Sequence, residues 1–204
     1  AASCGIEVDK VIAYQPLLND AIDLAEHKPE HVVMLQRDQC EATLQAPRDI
    51  DWHAWENAAS PVDCVPVQAT DPLYVLYTSG TTGKPKGIVR DNGGHAVALN
   101  YSMSAVYGVQ AGDVYWAASD VGWVVGHSYI VYGPLFAGCT TILYEGKPVR
   151  TPDAGAFWRV LAEHKVKRFF VAPTAFRAMR KEDPDCALLA KHDISSLQYQ
   201  FVAG

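Results

Sequence analysis

Tyr77-Thr78-Ser79-Gly80-Thr81-Thr82-Gly83-Lys84-Pro85-Lys86-Gly87 gathers four Ser and Thr hydroxyls, three glycines and two lysines directly behind an apolar run. Glycine lets a backbone approach an anion closely, hydroxyls donate to phosphate oxygens, and lysines supply charge, so this composition suits a polyphosphate. The spacing is not that of the Walker loop, because the lysines are followed by Pro85 and Gly87 and never by Ser or Thr, and the chain has no GxGxxG. A surface turn also uses Gly, Ser, Thr and Pro. It has no need of so many hydroxyls beside two lysines.

The elements that must position this loop follow from the alternation of short apolar runs with amphipathic stretches, the pattern of parallel strands joined by crossover helices. Strands are predicted at Val8–Ala13, His31–Gln36, Leu73–Tyr77, Gly87–Arg90, Val114–Ala118, Thr140–Tyr144, Arg168–Val171 and Leu197–Val202. Helices are predicted at Gln15–His27, Trp52–Ala59, Gly94–Tyr107, His127–Phe136 with Pro134 in its last turn, Ala154–His164, and Thr174–Arg180 behind Pro173. The expected fold is α/β, a mostly parallel doubly wound sheet. Residues 1–70 are expected to form a partial α/β subdomain with a connecting segment, and residues 71–204 an α/β subdomain carrying the loop. Ligands bind beyond the carboxyl ends of such strands, so the loops after Tyr77, Ala118, Val171 and Val202 are expected on one rim.

Other chemistries find less support. With 17 Lys and Arg against 23 Asp and Glu, the net charge of −6 shows no basic excess for nucleic acid. The five cysteines are scattered, odd in number and without a CxxC, which argues for a reducing compartment and against a structural zinc site. His27 and His31 have Pro29 between them, which spoils the helical face a metal pair needs, so no metal site is expected. Ala1–Gly5 has neither a basic start nor an apolar core, so no signal peptide is read there. Val121–Tyr144 lacks charged residues, yet its glycines, His127 and Pro134 suit a buried helix followed by a strand better than a membrane span. Gly126-His127-Ser128-Tyr129-Ile130 approximates the nucleophile elbow of an α/β serine hydrolase, but Ile130 stands where the sharp turn wants glycine.

The segment 77–87 resembles the phosphate-loop signature of the adenylate-forming enzymes, which include acyl-CoA synthetases, luciferases and peptide-synthetase adenylation domains. The resemblance continues. Ala118-Ser119-Asp120-Val121-Gly122-Trp123-Val124-Val125-Gly126-His127-Ser128-Tyr129 is similar to the acyl-pocket segment of acetyl- and propionyl-CoA synthetases, and Ala172-Pro173-Thr174-Ala175 to a later loop of that subfamily. Arg90-Asp91 with Gly93-Gly94-His95-Ala96-Val97-Ala98-Leu99 resembles the propionyl enzymes more than the acetyl ones.

The resemblance implies part of the large N-terminal domain of a two-step ligase. A carboxylate attacks the α-phosphate of Mg-ATP to give acyl-adenylate and pyrophosphate, and the thiol of coenzyme A then takes the acyl group. ATP, Mg2+ and coenzyme A are the implied cofactors, and a small carboxylate the implied substrate. On this carry-over Thr78, Ser79, Gly80, Thr81, Thr82, Gly83, Lys84 and Lys86 contact phosphate, and Trp123, Val124, Val125 and Gly126 line the acyl pocket. From residue type alone, such apolar residues read as ordinary core. Acetyl enzymes typically carry Thr where Val125 stands, so the wall is more apolar here, and one methylene of preference, worth ~1–3 kcal/mol, favours propionate.

No catalytic residue of the adenylation step is expected within the chain, since the family's adenylation lysine lies in a C-terminal domain. The chain is thus expected to be a fragment, inactive alone, with self-association through apolar surface. A cytoplasmic or mitochondrial-matrix setting is expected, with neither nucleic acid nor membrane as partner. The alternative from another class is a non-catalytic nucleotide-binding module.

Overall fold

The computed structural model describes residues 1–78 and 83–203. Two compact units divide the chain between Val65 and Pro66.

In the first unit the single strand expected over Val8–Ala13 is a hairpin. β1 (Cys4–Glu7) runs antiparallel to β2 (Lys10–Ala13), and Val8 turns between them at φ 56°. A β-branched residue is a poor occupant of the left-handed region, so nothing in its type announces a turn. Helix α1 (Gln15–Leu24) has Pro16 in its first turn, where the missing N–H costs nothing, and ends before the expected His27. Its Ile22 packs with Val32 and Met34 of β3 (Val32–Met34). β3 pairs in parallel with β4 (Asp49–Asp51), a strand too short to leave a periodic signal. Asp51 then caps α2 (Trp52–Ala58) by accepting from the Ala54 N–H at 2.9 Å.

In the second unit β5 (Pro72–Thr78) and β6 (Lys86–Asp91) form an antiparallel hairpin running from Pro72 opposite Asp91 to Thr78 opposite Lys86. This corrects the expected rim: the loop after Thr78 is a hairpin connection and does not belong to the parallel sheet. The reason is connection length, because parallel neighbours need a crossover of about a dozen residues and the stretch from Thr78 to Lys86 is shorter. Asp91 caps α3 (Asn92–Ala105), accepting from the Gly94 N–H at 3.3 Å.

The remaining strands are β7 (Val114–Ala118), β8 (Thr140–Thr141), β9 (Arg168–Val171) and β10 (Tyr199–Val202). They lie in the order β10-β9-β7-β8, all parallel. Between β7 and β8, residues 124–136 are continuously helical: α4 (Val124–Gly126), a π-helical turn (His127–Tyr132) and α5 (Gly133–Phe136). The helix expected over His127–Phe136 thus starts three residues earlier, at Val124, and is π-helical in its middle. Pro134 explains the difference, since it offers no N–H to the Ile130 carbonyl one turn back, and the hydroxyl of Thr141 donates there instead at 2.7 Å. Helices α6 (Ala156–Glu163) and α7 (Pro173–Glu182) make the later crossovers.

Side chains alternate across the sheet and are apolar on both faces, as a covered parallel sheet requires. Trp116, Phe169 and Val171 pack on one face with Phe157, Val160 and Leu161 of α6 and Met179 of α7. Tyr115, Ala117 and Phe170 pack on the other with Met103 of α3 and Ile130 of the π-turn. Each fully buried large side chain contributes roughly 1.5–3 kcal/mol. Arg168 is the polar member of β9. Its guanidinium is buried and donates to the carbonyls of Tyr107 at 3.1 Å and Gly108 at 2.8 Å, beyond the end of α3. The α/β class expected is the one the chain adopts, with helices on both faces of a parallel sheet.

Candidate functional site

From adjacent strands the chain leaves in opposite directions. After β7 it crosses towards β8 at one edge, and after β9 it crosses towards β10 at the other. The carboxyl ends of β7 and β9, where Ala118 lies beside Val171, therefore form a topological switch point. Such a point opens a crevice and is where open α/β sheets bind ligands. Two segments border it: 119–123 after β7, and Ala172-Pro173 after β9.

The first of these is tightly folded. Asp120 accepts from the Gly122 N–H through Oδ1 at 2.8 Å, and its carbonyl accepts from the Trp123 N–H at 3.2 Å. The loop then lies against Gly126, where a Cβ would meet Asp120 O at 2.3 Å and Val121 Cα at 2.4 Å. Glycine is required there by space. The four residues expected to line an acyl pocket follow this turn and differ in exposure: Trp123 and Val124 are exposed, 63% and 37%, Val125 is half-buried against the second core cluster, and Gly126 is buried. Asp120 was not among the expected site residues, although its place directly behind a strand was the signal available.

Ser128, the nucleophile of the hydrolase alternative, is buried within the π-helical turn. An elbow nucleophile sits exposed on a sharp strand-to-helix turn, so this geometry does not fit that chemistry.

At the hairpin, Thr78 and Lys86 face each other as the last pair before the loop. Lys84 and Lys86 are exposed, and Gly83 holds φ +82° with open space around the place of a Cβ. Of the expected phosphate contacts, Ser79, Gly80, Thr81 and Thr82 lie outside the described residues. The described ones bring two cations, a hydroxyl and a left-handed glycine to one hairpin end. That donor set fits a phosphate group by charge and by hydrogen-bond chemistry.

Behind the hairpin, His95 is buried on α3. Burial first, and then the positive charge of Arg90, hold its imidazole below the ordinary 6.5, against an opposing pull from Asp91. At the opposite end of β7, Asp113 meets Lys167 Nζ at 2.6 Å. Burial works against its ionisation, but the Lys167 ammonium and the Gln110 N–H outweigh it and hold the carboxyl below the usual range. This pair is structural and lies away from the crevice. Among the described residues no group of three His, Cys, Asp or Glu is placed to hold a metal ion, and no helix is long and apolar enough to cross a membrane.

An open parallel sheet with a switch-point crevice, in the same unit as a hairpin that carries two exposed lysines at its end, defines an α/β protein. The chain belongs to the AMP-binding enzyme family, which matches residues 7–204. It is 62% identical over 203 residues to an uncharacterized protein of Pseudomonas aeruginosa. It is 55% identical over 204 residues to the human acyl-CoA synthetase short-chain family member 3, mitochondrial, and 46% identical over 208 residues to the propionate–CoA ligase of Escherichia coli. The alignments cover all of this chain and 32%, 30% and 32% of those relatives respectively, so the chain spans about a third of the length of the curated relatives it matches.

Proposed function

We propose that this chain is part of an AMP-forming short-chain acyl-CoA synthetase whose carboxylate substrate is propionate. The observation that carries the reading is the apolar segment Trp123–Gly126 beside the switch point, in the same unit as the hairpin that bears Lys84 and Lys86. The relatives named above support the short-chain assignment.

On this reading Thr78, Ser79, Gly80, Thr81, Thr82, Gly83, Lys84 and Lys86 receive the β- and γ-phosphates of ATP, and the acyl tail lies against Trp123, Val124, Val125 and Gly126. A carboxylate oxygen bonds to the α-phosphorus as the bond to pyrophosphate breaks, and the thiol of coenzyme A then displaces AMP from the acyl carbon. The lysines act by charge, offsetting the negative charge that gathers on departing pyrophosphate, and no proton transfer is asked of them. Mg2+ bound to the nucleotide would supply further positive charge to the phosphates that Lys84 and Lys86 face. Val125 brings no hydroxyl to the acyl tail, which favours propionate over acetate by the ~1–3 kcal/mol of one methylene.

The test is ATP–pyrophosphate exchange by the full-length protein across a panel of carboxylates. Fastest exchange with two- to four-carbon acids, propionate foremost, is expected. Preference for long-chain acids or amino acids would overturn the substrate assignment. Nucleotide binding without any exchange would favour the non-catalytic module.

A further inference from the structure

Four aromatic rings meet behind the loop hairpin. Tyr74 of β5 stacks on Tyr132 with centroids 6.2 Å apart and planes 12° apart, lies over His127 at 5.1 Å, and meets His95 of α3 edge-on at 5.7 Å. His95 also meets Tyr132 edge-on, at 5.8 Å. Arg90 is the cross-strand partner of Tyr74, so both side chains share one face of the hairpin.

The polar tips of this cluster are unusual. Tyr74 Oη, Arg90 Nε and His95 Nε2 are buried and have no hydrogen-bond partner among the described residues. Buried polar atoms are nearly always paired, and a cluster serving only to fill space would be apolar.

His127 supplies the link to the crevice. Its Nδ1 donates to the Trp123 carbonyl at 2.9 Å, and its backbone N–H donates to the same oxygen at 3.1 Å. One run of contacts thus leads from Tyr74, on the strand that ends at Thr78, through the His127 ring to the peptide of Trp123.

We propose that Tyr74 and His127 are positioning residues that couple the loop hairpin to the start of the switch-point helix, so that the setting of one end of the site fixes the other. In catalytic terms this rests on the function proposed above: the hairpin end holds the nucleotide phosphates and the helix start holds the carboxylate. Small misplacement of either reactant costs rate steeply, which gives a rigid connection between the two its use.

The test uses the full-length protein and three variants. His127→Asn keeps an amide donor for the Trp123 carbonyl but removes the ring; Tyr74→Leu removes the stack; Tyr74→Phe keeps it. In pyrophosphate exchange, His127→Asn and Tyr74→Leu are each expected to raise KM for ATP and for the carboxylate together, by about tenfold, while Tyr74→Phe stays within about threefold. The double variant is expected to lose no more than the worse single one, the signature of a shared contact. A rise in only one KM, or effects that multiply, would overturn the proposal. Hydrogen–deuterium exchange needs no catalysis: His127→Asn is expected to speed exchange in peptides covering 72–78. Unchanged exchange there would sink the coupling even if the enzyme assignment stands, and faster exchange would support it even if the assignment falls. His127→Asn carries both measurements alone if Tyr74→Leu does not fold.

Discussion

The hydroxyl of Thr141 donates at 2.7 Å to the carbonyl of Ile130, the acceptor that Pro134 leaves without its usual helical donor. An edge strand of the sheet thereby completes the helix that begins at the crevice. Thr141→Val removes the donor at nearly constant shape and strands the carbonyl, at a cost of about 1–2 kcal/mol. Thr141→Ser keeps the hydroxyl and should lose much less. Denaturant unfolding of the full-length protein checks both, and equal losses would mean that the methyl group matters more than the hydrogen bond.

Lys84 is exposed beside Gly83 at the hairpin end, with its charge available to a ligand. Under the proposed function Lys84→Ala should slow acyl-adenylate formation about 10²-fold, the usual loss on removing one group that meets developing charge. Acyl transfer from supplied acyl-adenylate to coenzyme A should change far less, because pyrophosphate has already left. Single-turnover assays of the two halves decide the matter, and equal losses in both would make Lys84 structural.

The parts of this fold that were legible in the sequence are those where local pattern and tertiary demand coincide. Val114–Ala118 and Arg168–Val171 appear with the expected bounds because short apolar runs covered on both faces have few alternatives to central parallel strands. Leu73–Tyr77 is equally apolar but among the described residues pairs with β6 alone, and its own composition does not distinguish these fates. The short connection to Lys86 carried that information. The loop was visible because its glycines, hydroxyls and lysines are contiguous. The rim shared by the ends of β7, β9 and β10 was expected as well, but the switch point on it was not, since it depends on the order of four strands, and the contact of Tyr74 with His127 joins residues distant in sequence whose types suggest ordinary packing.

The buried His95 gives acid sensitivity a defined starting point. Its folded-state pKa lies below the ordinary 6.5, so between those values the unfolded chain binds a proton that the folded one refuses, and stability falls as pH drops through 6.5. Asp113, whose folded pKa lies below the ordinary 3.8, acts later. Its contribution is present above 3.8 and is lost as pH falls through the depressed value. Thermal midpoints measured from pH 8 down to about pH 2 should therefore decline in two stages, the first setting in near 6.5 and the second below 3.8. His95→Gln should flatten the first and leave the second, and an unchanged first stage would assign it to another group.

Gly126 offers the sharpest steric test of the crevice. A methyl group there would sit 2.3 Å from Asp120 O and 2.4 Å from Val121 Cα, both backbone atoms that no side-chain rotation can move aside. Gly126→Ala must therefore displace the loop 120–122 or open the first turn of the helix. Either movement shifts Trp123, whose N–H donates to the Asp120 carbonyl and whose own carbonyl accepts from the His127 ring. The helix itself tolerates alanine better than glycine by about 1 kcal/mol, so local propensity offsets part of the damage to stability. The damage to the site has no such compensation. Under the proposed function, the full-length variant should remain folded by circular dichroism while KM for the carboxylate rises by about tenfold or more. Wild-type carboxylate kinetics in a folded Gly126→Ala variant would show that the loop at the carboxyl end of β7 does not shape the acyl site.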